Sequence, residues 1–161
     1  MGLPVFIGIR VSEIPDLQED LALYRRAWRD AGHAGDPSVY LRVPIYVSAS
    51  ETGAVDEPRA SLTAFFGRQT ALAQAAAGRA GTSEERRAQA ERMARLSYDD
   101  ILAKKVVSGT PARVIHRLGE LREALGLDGF IAELNPGGRI PLELETRSLQ
   151  LLTHEVFPAF R

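Results

Sequence analysis

Two rhythms of apolar and polar residues run along this chain: short apolar runs, and stripes recurring every three to four residues. Pro4–Val11 is a short continuous apolar run rich in β-forming residues, the pattern of a strand buried on both faces. Ile14, Leu17, Leu21, Tyr24, Trp28 and Ala31 then recur at helical spacing, which predicts an amphipathic helix ended by Gly32. Val39–Val47 is the second strand. Pro44 within it cannot donate to a ladder and calls for a bulge, an edge or an unpaired end.

Beyond Ser48-Ala49-Ser50 lies a polar and Ala-rich region, with Leu62, Phe65, Phe66, Leu72, Met93 and Leu96 as its apolar positions. Two or three helices are predicted there, interrupted by a flexible loop at 78–83, with Ser83 capping a charged helix from Glu84 to Leu96. Residues 51–105 are read as a helical insertion between the second and third strands of a single domain, 1–161. Thr110-Pro111 starts the next helix, its stripe being Val114, Ile115, Leu118, Leu121 and Leu125, and Gly126 ends it. Phe130–Leu134 is the third buried strand and Asn135-Pro136-Gly137-Gly138 turns the chain. A last helix from about Pro141 carries Leu149, Leu152 and Val156 until Pro158. Strands alternating with helices imply right-handed connections and a parallel α/β sheet.

Composition narrows the function classes. At 161 residues the chain is long enough for one modest domain, and 45% hydrophobic, 7% aromatic and 25% charged residues are ordinary for a folded globular protein. Its 20 basic and 21 acidic residues give a formal net charge of -1, so no global field attracts nucleic acid or anionic lipid. The absence of cysteine excludes disulfides, thiolate metal sites and a Cys nucleophile. With no signal-peptide pattern after Met1 and no apolar run approaching about 18 residues, the expectation is a cytoplasmic protein with neither nucleic acid nor membrane as partner.

Three stretches resemble the bacterial luciferase-like flavin-dependent monooxygenases. The first runs from Gly2-Leu-Pro-Val-Phe-Ile through Tyr24-Arg-Arg-Ala-Trp-Arg-Asp-Ala-Gly-His33, and the second is Leu41–Val47. The third comprises Gly109-Thr-Pro, Gly129-Phe-Ile, Asn135-Pro-Gly-Gly and Glu155-Val-Phe-Pro in the family's order. The resemblance implies a partial (β/α)8 TIM barrel, with about three parallel strands from its last three β/α units under covering helices. It also implies that the family's N-terminal half, with much of the catalytic and flavin-contacting machinery, is not in this chain, since a full barrel needs about 250 residues.

Ligands of such a barrel sit at the C-terminal ends of the strands. Those ends here are Ile9-Arg10-Val11, Val47–Ser50 and Glu133-Leu134-Asn135. The cofactor-binding candidates are therefore Arg10, Ser48, Ser50, Asn135, Gly137 and Gly138. Arg10 suits a phosphate, or else pairs with Glu13 or Asp16. Ser48 and Ser50 suit a polar group of flavin or substrate, or else cap and turn the chain. The Asn135–Gly138 amides suit a close-lying ligand, or else form a plain turn. His33 at a helix end and His116 and His154 within helices read as structural. No metal spacing, nucleophile elbow or phosphate-loop motif occurs, and no catalytic residue is assigned.

For function, the expectation is membership of that family. The resemblance implies reduced FMN or the deazaflavin F420 as cofactor and a small organic molecule as substrate. The chain is read as truncated and catalytically incomplete alone, with a complementing barrel half or a second copy of itself as partner. The alternative is a non-catalytic barrel fragment or self-associating binding module.

Overall fold

A computed structural model describes residues 2–10 and 12–160; Val11, in the expected first strand end, lies outside the described residues. The strands are β1 (Val5–Ile7), β2 (Val39–Val47), β3 (Val107–Gly109) and β4 (Gly129–Glu133), all parallel. The helices are α1 (Ile14–Asp30), α2 (Glu51–Asp56), α3 (Arg59–Ala77), α4 (Glu84–Ala94), α5 (Tyr98–Lys104), α6 (Pro111–Leu125) and α7 (Leu142–Leu151). A π-helical turn at Leu152–Val156 and a 3-10 turn at Phe157–Phe160 continue α7.

β2 is the hub of the sheet. Its first residues pair with β1, its last with β3, and Tyr40–Pro44 pair with β4. In a parallel ladder the N–H and C=O of one residue point to the same neighbour, and successive residues alternate. Val39 accepts from the Asp128 N–H on the β4 side, whereas Ser38 accepts from Val5 and Ser48 donates to Gly109 on the opposite edge. β1 and β3 therefore share one edge of β2, one beyond the other. Pro44 falls in the gap between them, where no N–H is required, and this resolves how a proline sits in a central strand.

The same alternation gives the sheet two unlike faces. Val39, Leu41, Val43, Ile45 and Val47 of β2 are at most 2% exposed and pack with Ile9, Phe130 and Ala132 against α1, α6 and the C-terminal turns. On the other face stand Phe6, Gly8 and Arg10, then Tyr40, Arg42, Pro44, Tyr46 and Ser48, then Gly129, Ile131 and Glu133. Its lower half is open: Phe6 is 59% exposed and stacks on Tyr40 at 5.5 Å, and Ile131 is 38% exposed. Its upper half lies under α3, whose Leu62, Phe65 and Phe66 join Ile101 and Val106 in a second apolar cluster.

Three expectations change. β1 is buried on one face rather than both, and β4 likewise packs on one side, because nothing among the described residues covers the lower open face. A fourth strand, β3, joins the expected three; three residues ending in glycine are too short for a periodic signal. The region 51–105 holds four helices, more than the two or three expected, because Pro58 and Ser97 start new ones. Ser83 caps α4 and Gly126, at φ +61°, ends α6 as expected. Thr110 does not cap α6; its hydroxyl donates to Glu51 at 3.1 Å. No helix among the described residues is long and apolar enough to cross a membrane.

Lys105 ties the helical region to the segment after β1. Its side chain is 3% exposed, its ammonium meets Glu13 at 2.7 Å and it donates to the Ser12 carbonyl at 3.2 Å. Glu13 is half solvated, so the two partners are unequal. Glu13→Ala strands a buried cation and is expected to cost about 2 kcal/mol, below the range for a wholly buried pair. Lys105→Met leaves a carboxylate in water and is expected to cost less. Urea denaturation of both variants checks that order.

Candidate functional site

The C-terminal ends of the strands gather the expected residues at one end of the sheet, and α3 crosses that end. Ser61 of α3, fully buried, donates to Asn135 Oδ1 at 2.8 Å and accepts from the Gly137 N–H at 3.0 Å. Phe65, one turn on, lies 5.7 Å from the Arg10 guanidinium. Arg68 donates to the Pro136 carbonyl at 3.1 Å. The helix thus spans from the turn after β4 to the end of β1.

Most candidate groups are occupied within the fold. Ser50 is the N-cap of α2 and accepts from the Gly53 N–H at 3.0 Å. Ser48 is 6% exposed beneath Gly53, where any Cβ would collide with its hydroxyl. Asn135 accepts from the Arg139 and Ile140 N–H groups and donates to the Ile140 carbonyl and to Glu145 at 2.8 Å. Gly137 abuts the Ser61 carbonyl so closely that a Cβ would overlap it, and Gly138 stands free at φ +67°. The turn is therefore the seat of α3. Arg10 differs from the rest. Glu13 pairs with Lys105, and Asp16 accepts from the Glu13 N–H at 3.3 Å, so neither expected partner meets it.

Several polar residues on the open face carry no motif. Arg42 pairs with Glu133 across β2 and β4; Arg42 is half exposed, while Glu133 is nine-tenths buried. The second carboxylate oxygen, Oε2, is buried without a hydrogen-bond partner beside a cavity of about 10 Å³ lined by Pro44, Leu62 and Ile140. The Tyr46 hydroxyl donates to Glu57 at 2.8 Å; burial first, and then this bond to an anion, raise its pKa above the usual 10. The strict alternation of Val39–Val47, aliphatic at odd positions and Tyr, Arg, Pro, Tyr at even ones, is the signal that marks Arg42. Ser61, in an Ala-rich helix, carries none.

Residues 1–129 match the family model described as luciferase-like monooxygenase. No curated protein matches the chain. Among solved structures it is similar to the oxygenating constituent of 3,6-diketocamphane monooxygenase from Pseudomonas putida, solved with FMN. There the TM-score is 0.67 at 17% identity, covering 97% of this chain and 42% of that one. It is similar to monooxygenase RslO1 from Streptomyces bottropensis at TM-score 0.61 and 18% identity, covering 99% and 43%. A coenzyme F420-dependent tetrahydromethanopterin reductase from Methanopyrus kandleri gives 0.61 and 16%, covering 98% and 45%. The chain spans less than half the length of these structures, and the likeness shows the fold: part of a (β/α) barrel.

Gly137→Ala places a methyl group inside a backbone carbonyl and is expected to cost about 3 kcal/mol, the upper end for overpacking. Gly138→Ala meets open space and costs only its left-handed backbone, about 1 kcal/mol. Thermal melts of the two variants read the difference.

Proposed function

The chain belongs to the luciferase-like monooxygenase family, and from that membership we propose that it forms the closing units of a barrel using reduced FMN or the deazaflavin F420. In that barrel, placed in the cytoplasm, a small organic substrate is oxygenated by dioxygen if the cofactor is reduced FMN, or exchanges a hydride if it is F420. The observation that carries the reading is the two-faced sheet. A helix-packed aliphatic side backs an open side with Arg10 and Glu133 near the strand ends, where a barrel of this kind holds ligands, and Arg42 in mid-strand paired with Glu133. Bound flavin supplies the redox chemistry. This chain's own part is narrower: Arg10 offers donors to an anionic oxygen, and α3 shields the strand ends from water.

The six candidates do not make a flavin site by themselves. Asn135 has spent its hydrogen bonds within its own turn and on Ser61, Ser50 caps α2, and Gly137 is filled by Ser61. The chemistry therefore calls for further strands, from a longer polypeptide or a second chain, with 51–105 as a helical insertion above them. Titration of the purified chain with FMN and with F420 is expected to give no shifted or quenched flavin spectrum at high micromolar flavin. Tight binding by the chain alone would overturn its incompleteness.

A second reading, self-association, rests on the bare lower face. Phe6 and Ile131 are exposed, and β1 and β4 each present an unpaired edge among the described residues. Light scattering after size exclusion is expected to show a dimer or larger species, which Phe6→Asp reduces. A clean monomer that binds no hydrophobic dye would count against it.

A further inference from the structure

Arg10 follows β1 on the open face, half-buried, with its guanidinium against the Phe65 ring at 5.7 Å. Among the described residues no carboxylate reaches it. A guanidinium is always charged and presents a planar fork matched to phosphate and carboxylate, so partial burial without a counter-charge favours an anion beside it. The aromatic ring holds the group in place and adds a weak cation–π attraction.

The ground next to it is cleared. Gly8 points to the same side of β1; a Cβ there would stand 3.9 Å from Arg10 Nε and 3.4 Å from the Arg42 carbonyl oxygen. Any larger side chain at that position would fill the space between the two strands. Arg42 adds a second cation on the neighbouring strand, compensated by Glu133 through one carboxylate oxygen. The local balance is two guanidinium groups against one carboxylate.

We propose that Arg10, with Gly8 as floor, recognises an oxyanion carried by the small-molecule ligand at the strand ends. This rests on the flavin-barrel reading for its setting, yet its test needs no flavin. The oxyanion is either the phosphate of a cofactor or the carboxylate of a substrate.

Thermal melts of the full chain in inorganic phosphate and in benzoate, each against sodium chloride at equal ionic strength, separate these sources. We expect at least one to raise the wild-type melting temperature by about 3 °C over chloride, the shift for millimolar affinity at tens of millimolar anion. A rise in phosphate points to the cofactor group, and one confined to benzoate to a substrate carboxylate. Arg10→Gln is expected to abolish the rise. Gly8→Val, which keeps the arginine and fills the floor, is expected to abolish it too, so the inference stays testable if one variant folds poorly. Equal rises in wild type and both variants would be general salt exclusion and would overturn the site, as would no rise at all. A rise lost with Arg10→Gln leaves the anion site standing whichever way the flavin titration of the chain falls, so the two readings fail separately.

Discussion

Every strand pairing among the described residues is made to β2: β1 and β3 on one edge, β4 on the other. Its five odd residues also form a fully buried aliphatic row facing α1 and α6. Burial of each such side chain contributes roughly 1.5–3 kcal/mol relative to exposure, so the strand concentrates both the ladder and much of the apolar driving force. The ends of β2 are fixed just as tightly. The Val39 N–H donates to the Asp128 carboxylate at 2.7 Å and the Val47 N–H to the Ser148 hydroxyl at 2.8 Å.

What β2 organises is a division of labour between faces. One face is spent on stability and the other holds aromatic and charged groups whose partners are few within this chain. α3 joins the two requirements, because seating Ser61 on Asn135 and Gly137 also brings Phe65 to Arg10. The turn after β4 thus sets where the helix lies, and the helix sets how the arginine is held.

The sequence made the architecture legible where periodicity was long. The stripe of α6, the left-handed stop at Gly126 and the central strand with its proline are all present at the expected positions. What escaped was set by tertiary contact. β3 is three residues whose strand character comes from lying against Ile45–Val47. Asn135-Pro-Gly-Gly reads equally well as a ligand loop or a turn, and the deciding partner, Ser61, lies 74 residues away in an ordinary Ala-rich segment. The ion pair of Arg42 and Glu133 needed a pairing register that local patterns do not contain. Arg10 was legible as a residue type at a strand end, while its lack of a carboxylate depended on Lys105 taking Glu13.

The pairing of β2 with β4 also governs when the fold can form. Val39 and Asp128 are separated by 89 residues, and the four helices from 51 to 104 lie inside that interval. During synthesis the aliphatic row of β2 emerges long before its β4 neighbour or the α6 stripe that covers it. Long-range parallel contacts reward the chain only after loop closure, so the sheet is the slow part of folding and the intervening helices the fast part. Until α6 and β4 arrive, β2 is a nascent apolar strand with an unpaired edge, the kind of segment that chaperones hold and that misassembles at high concentration.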